Sequence, residues 1–503
     1  MAHFLLFGLV IGLFLLLNGE EAHAGAPQGC PVVVVFGAAG DLVRRFVWRS
    51  LWEVFLETGP MVVVATSRDD VSGLLGELNS VIECSDGSET CISRFKVWSA
   101  CTNGFQLRED GDYRRLNETL PEWTSKCGCS ESQRLFYLAV PPSAYASLAK
   151  QIDAFLRPSA SVGTIKVALE KPFGSDLHTS LTMSEQLKQY LKEYEIYRID
   201  HYLAKPAVRG IVHFLCHNKQ HLKDLLNGDN VDRVHVVARE SLTAAGRTGY
   251  YDKYGVVRDM MQNHLTQVLA LIVADLSADS CQSSSGLEAK RVEFLKTLNP
   301  ASLHHTLLAQ YADYHKHVRA GGGNMNSRTA TFATTVLSSS TDSWRGTRFL
   351  LTSGKALPQK STYAAVVFKS VPGACPKEIV FIIKDQELES GVLVSSNFGG
   401  DVITGKEGLP PATLIASDSN VVLTPGCPYL FFACQDCETE AYTNVVRSLI
   451  EGERSSFVST ESLLESWRVW TGLVEAMDAS EAGPFKYDSS NIHLIDITPW
   501  SSK

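Results

Sequence analysis

Two short stretches of this 503-residue sequence carry side chains able to move a proton and hold an anion. The first, Tyr197-Arg198-Ile199-Asp200-His201-Tyr202-Leu203-Ala204-Lys205, offers a carboxylate, an imidazole, a phenol and an ammonium within a few positions. Such a set can orient a base and bind a phosphate through charge-assisted hydrogen bonds. The second, Arg258-Asp259-Met260-Met261-Gln262-Asn263-His264, puts a carboxylate and an imidazole five residues apart. On a helix these two lie on neighbouring faces, with Met261, Leu265, Val268 and Ile272 as the buried stripe. Taken alone, a histidine beside that stripe reads as a core imidazole bonded to backbone.

These segments need a frame, and the sequence supplies one. Val32 to Phe36 is a β-branched run of the kind buried in a parallel sheet. It leads into the turn Gly37-Ala38-Ala39-Gly40-Asp41-Leu42 and a helix from Arg44 to Phe55, whose apolar face is Phe46, Val47, Leu51, Val54 and Phe55. A second strand, Met61 to Ala65, completes a strand-helix-strand unit that opens a dinucleotide-binding α/β domain. The turn lacks the second half of GxGxxG, but a helix opening at Asp41 would aim backbone N–H groups at a pyrophosphate. After the second strand stands Thr66-Ser67-Arg68, which suits a ribose 2'-phosphate, with Asp69 and Asp70 just beyond as opposing charges.

Further strands are expected at Arg134 to Val140, ending in Pro141-Pro142, and at Ile165 to Leu169, ending in Glu170-Lys171-Pro172-Phe173-Gly174. Both end at the edge where an open α/β sheet presents ligands. From about residue 207 alternating strands, Val234 to Val237, Thr329 to Val336, Tyr363 to Phe368 and Glu378 to Ile383, suggest a larger, mainly antiparallel sheet. Helices at Arg258 to Ile272, Glu440 to Ile450 and Glu461 to Glu475 would pack on it, with surface loops at Ser283 to Gly286 and Gly321 to Ser327. The expected division is a leader at 1–24, a Rossmann-type α/β domain at 25–206 and an α+β domain at 207–503.

Composition excludes several classes. Apolar residues at 45%, charged residues at 20% and a net charge of -9 describe a soluble globular chain with no basic stripe for nucleic acid. The apolar run Phe4 to Leu17 is short for a membrane span, and Ala22-His23-Ala24 has the pattern a signal peptidase cuts, so a mature start near Gly25 in a lumen or outside the cell is expected. An uncleaved anchor is the alternative. Twelve cysteines include the local pairs Cys84 with Cys91, Cys127 with Cys129 and Cys434 with Cys437, which read as disulfides or free thiols rather than zinc ligands. Asn117-Glu118-Thr119 is a lone glycosylation sequon.

The ordered motifs GAAGDL, YLAVPP, EKPFG, YRIDHYLAK, GRTGYYDKYGVVRDMMQNHL, SGKAL and ESWRVWT, spread from Gly37 to Thr471, resemble the signature of the glucose-6-phosphate dehydrogenases. With the leader, ESLTAAGRTGYYDKYGV and SGKALPQKSTYAAVVFK are similar to the endoplasmic-reticulum hexose-6-phosphate branch of that family, whose usual following lactonase domain has no counterpart in this sequence. The resemblance implies oxidation of C1 of a hexose 6-phosphate to a lactone, with hydride passing to NADP, or to NAD as the alternative coenzyme, and a homodimer as the assembly. His264 matches the catalytic base and Asp200 the carboxylate that orients it. His201, Tyr202 and Lys205 match the phosphate clamp, Glu240 and Asp259 the sugar-hydroxyl acceptors, and Lys355 and Lys360 the cations at the far side of the substrate. Lys171 matches the lysine between sugar and coenzyme, and Pro172 beside it is a candidate for a cis peptide. Gly37, Gly40, Asp41, Leu42, Arg68, Pro141, Lys171 and Pro172 fall at the coenzyme positions, and no metal is implied. Ala39, where the family turn has Ser or Thr, and Ala204-Lys205-Pro206 depart from the pattern without removing a reacting group. The rival readings are an NAD-dependent dehydrogenase of free aldoses and a non-catalytic lumenal binding protein of the same fold.

Overall fold

A β-branched run with no polar interruption belongs between two layers of helices, and Val32 to Val35 are each no more than 2% exposed in strand β1 (Gly29–Phe36). The computed structural model describes residues 29–488 apart from 83–87, 160–162, 164, 276, 372, 399–411, 416–422 and 435–436. The leader, the mature start near Gly25 and Cys84 lie outside the described residues.

Around β1 the chain adds β2 (Val62–Ser67), β3 (Thr102–Gln106), β4 (Ser130–Leu138), β5 (Ile165–Leu169) and β6 (Ile196–Ile199). Their order is β3-β2-β1-β4-β5-β6 with every neighbour parallel, the doubly wound arrangement in which ligands gather at the carboxyl edge. A two-residue strand, Phe457–Val458, closes the edge antiparallel to β6. The C-terminal segment therefore returns to the first sheet. It does so again through the helix Ala441–Glu451, whose Thr443 hydroxyl donates to Glu53 Oε2 at 2.6 Å and Ser50 Oγ at 3.1 Å on the helix Trp48–Thr58.

The second sheet has ten strands: β7 (Val231–Arg239), β8 (Thr306–Tyr311), β9 (Phe332–Leu337), β10 (Arg348–Gly354), β11 (Ser361–Phe368), β12 (Glu378–Asp385), β13 (Gly391–Ser395), β14 (Ala412–Ile415), β15 (Pro428–Ala433) and Phe485–Tyr487. It is antiparallel except where β7 meets β10 and where β8 meets Phe485–Tyr487. The expected α/β domain followed by a large, mainly antiparallel sheet is what the chain forms.

Three sequence expectations need correction. Ser283 to Gly286 is no loop: Ser283 caps the helix Ser284–Thr297, its hydroxyl accepting from Gly286 N–H at 2.9 Å, and a serine before a helix satisfies an otherwise unpaired donor. The second concerns the helix expected from Arg258 to Ile272, which starts as a π-helix, Val257–Leu265, and continues as α over Thr266–Val273. Third, Cys127 and Cys129 do not pair with each other; Cys127, at the end of the helix Asp110–Lys126, bonds Cys101 at the end of the helix Glu89–Cys101, and Cys129, just before β4, bonds Cys30 in β1. Cys216–Cys281, Cys375–Cys427 and the expected Cys434–Cys437 complete five disulfides among the described residues, where no cysteine is free. Gly321 to Ser327 is the surface loop expected, exposed as far as Asn326. The sequon lies within the helix Asp110–Lys126, where Asn117 Oδ1 accepts from Arg134 Nη1 at 2.7 Å. No described helix is long and apolar enough to cross a membrane.

Candidate active site

The carboxyl ends of strands from both sheets converge on one place. Lys171 follows β5, Asp200 follows β6, Glu240 follows β7 and Lys355 follows β10. His264 reaches the same place from the π-helix, which is anchored at its start by Gly255. That residue has φ +61°, and a Cβ there would come within 3.2 Å of Thr329, so the chain can turn sharply and press against β9's approach.

The π-helix decides which side chains share a face. Around an α-helix, residues five apart stand about 140° from each other; where hydrogen bonds close from i to i+5 they come nearly into line. Thr266 N–H bonds Met261 O in this way, and the Thr266 hydroxyl donates to the same carbonyl at 2.6 Å. Asn263 Nδ2 donates to Arg258 O at 3.0 Å. Asp259 and His264 thus face one site rather than neighbouring faces.

At the centre, His264 Nδ1 meets Asp200 Oδ1 at 2.6 Å, and both side chains are buried. Asp200 Oδ1 also accepts from Tyr202 N–H at 3.0 Å. Burial pushes the Asp200 carboxyl up, but the imidazole, that N–H and the Lys171 ammonium outweigh it, so Asp200 stays ionised. Burial holds His264 below the ordinary histidine range, which the Asp200 charge opposes. The imidazole is neutral at neutral pH, with Nδ1–H donating to the Asp200 carboxylate and Nε2 as the basic atom. His264 Nε2 is buried and has no hydrogen-bond partner among the described residues.

A ring of charge surrounds this pair. Lys171 Nζ donates to Asp259 O at 2.8 Å and Oδ1 at 3.0 Å, and although burial favours its neutral form, Asp259 keeps it protonated. Lys355 pairs with Glu240. Tyr202 lies flat on His264, and Lys205 Nζ stands 3.3 Å from the centre of the Tyr202 ring. Lys205 is pushed down to about 7 by burial and by Lys384 and Lys360, and His201 falls well below its ordinary value through burial and the neighbouring cations. An ammonium whose charge is only half formed near neutral pH is drawn fully into its charged form by a nearby anion such as a phosphate. Lys360 is exposed at the head of β11 and reaches Lys205 only through its field.

The dinucleotide positions form a separate edge. Gly37 has φ +74°, and a Cβ there would strike the Ala139 carbonyl, so the turn after β1 packs directly on the end of β4 beside Pro141. Gly40 N–H closes the turn on Gly37 O at 2.9 Å, and the helix opening at Asp41 and Leu42 brings its N-terminus to the sheet edge. This backbone cradle fits a pyrophosphate. Arg68 is exposed at the end of β2, where its carbonyl accepts from Arg108 Nε at 2.8 Å, adding a second guanidinium. The Asp70 carboxylate accepts from Ser72 N–H at 3.0 Å and from the Ser72 hydroxyl, and it also feels the Arg108 charge. The Lys171–Pro172 peptide is cis.

Sequence reasoning did not assign Lys384, Arg108, Tyr442 or the two tryptophans of ESWRVWT. Tyr442 stacks on His201 with centroids 6.0 Å apart. On the helix Thr460–Ala479, Trp467 Nε1 donates to Phe173 O at 3.0 Å and Trp470 Nε1 to the Thr266 hydroxyl at 2.9 Å, joining the EKPFG loop to the π-helix. Only the last of these had a signal, the tryptophans inside a quoted motif.

With this geometry in place, comparison with known proteins is informative. Residues 34–210 match the family described as "Glucose-6-phosphate dehydrogenase, NAD binding domain" and residues 214–493 that described as "Glucose-6-phosphate dehydrogenase, C-terminal domain". The "GDH/6PGL endoplasmic bifunctional protein" of Homo sapiens is 29% identical over 97% of this chain and 64% of its own length, so the chain spans less than two thirds of that relative. The "Glucose-6-phosphate 1-dehydrogenase, cytoplasmic isoform" of Solanum tuberosum is 30% identical over 91% of this chain and 88% of its own. A solved structure described as "Glucose-6-phosphate dehydrogenase in complex with its substrate glucose-6-phosphate" shares the fold, with a TM-score of 0.77, 23% identity and coverage of 92% and 95%. The chain belongs to the glucose-6-phosphate dehydrogenase family.

Proposed function

We propose that this protein oxidises C1 of a hexose 6-phosphate, glucose 6-phosphate first, to the 6-phospho-lactone with NADP as hydride acceptor. The observation that carries the reading is the buried His264–Asp200 pair at 2.6 Å, with Nε2 unpartnered beside a cluster of lysines. The coenzyme would supply a hydride acceptor and nothing else. His264 Nε2 takes the proton of the C1 hydroxyl as the C1–H electron pair leaves, so that the C1–O bond becomes a carbonyl without a charged intermediate. Asp200 stabilises the imidazolium that results. Lys205, His201 and Tyr202 hold the 6-phosphate, Glu240 and Asp259 accept from sugar hydroxyls, and Lys171 bridges sugar and coenzyme. Gly37, Gly40, Asp41, Leu42, Pro141 and Pro172 line the coenzyme's path, and Arg68 with Arg108 supports preference for the 2'-phosphate form.

The endoplasmic relatives, the leader-like N-terminus and the five disulfides support a place in the endoplasmic-reticulum lumen or outside the cell. A homodimer is the expected assembly, which sedimentation checks. Absorbance at the reduced-nicotinamide band, with purified protein and glucose 6-phosphate or free glucose against NADP or NAD, tests the activity. Reduction of NADP by glucose 6-phosphate supports it; activity only with free glucose and NAD, or none, overturns it.

A further inference from the structure

Beside Glu240 and Asp259 lies a small aromatic cluster of Tyr251, Tyr311, Tyr314, Phe332 and Tyr487. Tyrosine enters such a cluster only if its hydroxyl finds a partner, because a buried unpaired hydroxyl is costly. Three of the four comply. Tyr314 donates to Asp252 Oδ1 at 2.9 Å, Tyr487 donates to Lys355 O at 2.5 Å, and Tyr311 accepts from Ala244 N–H at 3.1 Å and meets His317 Nδ1 at 2.9 Å. Tyr251 does not. Its residue is 3% exposed, and its hydroxyl oxygen is buried with no partner among the described residues.

The position of this orphan is informative. Lys355, paired with Glu240, stands with Nζ 5.2 Å from the centre of the Tyr251 ring. The phenol's electrostatic neighbours include Asp259 and Glu240, and burial with those two carboxylates pushes its ionisation up, so it remains a neutral O–H. A further orphaned atom beside these groups is His264 Nε2, where the reacting hydroxyl belongs. We propose that the Tyr251 hydroxyl is a further substrate-specificity group, hydrogen-bonding one ring hydroxyl of the sugar on the edge held by Glu240 and Asp259. This rests on the sugar-phosphate reading above. An O–H that can both donate and accept suits a ring hydroxyl whose other bond goes to a carboxylate.

The test is Tyr251→Phe, which keeps the ring and removes one oxygen. Loss of a neutral hydrogen bond predicts a KM for glucose 6-phosphate raised about three- to tenfold, with kcat within twofold of the parent protein. Among 2-, 3- and 4-deoxyglucose 6-phosphate, the analogue lacking the partner hydroxyl should show equal KM for both proteins, while the other two keep the shift. An unchanged KM for glucose 6-phosphate overturns the inference, as does a shift of the same size with all three analogues, which would mean that the ring only shapes the site. If the unmodified protein turns over no sugar phosphate, the functional reading fails first and this inference with it. Melting temperatures on the same preparations confirm that the variant is folded.

Discussion

The Tyr202 ring lies parallel to the His264 imidazole, 4.4 Å between centroids and 11° between planes, while the same ring carries Lys205 Nζ 3.3 Å from its centre. One phenol therefore touches both the imidazole proposed as base and the ammonium proposed to hold the phosphate. Lys205 is held at about 7 in the free protein, and a sugar phosphate is a dianion above pH 6 or so. The charged lysine binds it best, so binding takes up a proton. KM for glucose 6-phosphate should rise by up to about tenfold per pH unit above pH 7, while KM for free glucose stays flat. Lys205→Arg, charged throughout, should remove the slope, and a slope that survives in it would remove Lys205 from the clamp. Lys205→Ala should raise KM for the phosphate about ten- to a hundredfold and leave free glucose unaffected.

Coenzyme choice rests on the end of β2. Arg68→Ala should raise KM for NADP about tenfold with little effect on NAD, because in the proposed reading the guanidinium bonds the 2'-phosphate and alanine offers nothing in its place. Equal effects on both coenzymes would count against that role.

The π-helix gives a third expectation. Thr266 accepts from Trp470 and donates to Met261 O, so Thr266→Val leaves the buried Trp470 N–H unpaired and removes one of the two bonds to the Met261 carbonyl, costing about 1–3 kcal/mol. Relaxation toward α-helical bonding would swing Asp259 away from His264. Turnover and sugar affinity should both fall, by about tenfold in kcat/KM, and Thr266→Ser should restore them. A loss of melting temperature alone would make the contact structural only.

Much of this was legible. A continuous apolar strand, a glycine turn and a helix identify the first domain, because parallel strands buried on both faces tolerate little else, as Val32 to Val35 show. The residues proposed to react were picked out through motif order, not through local chemistry, since His264 alone reads as a core residue. Two things were hidden. The π register depends on Thr266 meeting Trp470 from a helix 204 residues away, and no local periodicity records that. The cysteine pairing depends on which strand ends lie side by side, so the adjacent Cys127 and Cys129 bond in different directions.

Those disulfides should carry stability rather than metal. Replacing Cys30 and Cys129 together by serine opens a closed loop with a sequence separation of 99 and should cost about 2–5 kcal/mol, measured by denaturant unfolding. A strong chelator should leave the melting temperature unchanged. A chelator-sensitive transition would contradict this.

The central claim is that His264 is the base. His264→Asn should lower kcat by about two to four powers of ten with sugar affinity nearly intact, since the clamp is untouched. Burial holds the imidazole below 6.5, so in the unmodified protein kcat should be flat at neutral pH and fall only on an acid limb below that value. Asp200 opposes that shift; Asp200→Asn should therefore move the limb to still lower pH while lowering the plateau. The decisive measurement is kcat for glucose 6-phosphate and NADP against pH, taken with melting temperature on the same preparations of the unmodified protein and His264→Asn. The account predicts a folded His264→Asn protein whose residual rate has lost the acid limb; a folded variant with normal turnover and the same limb would contradict it.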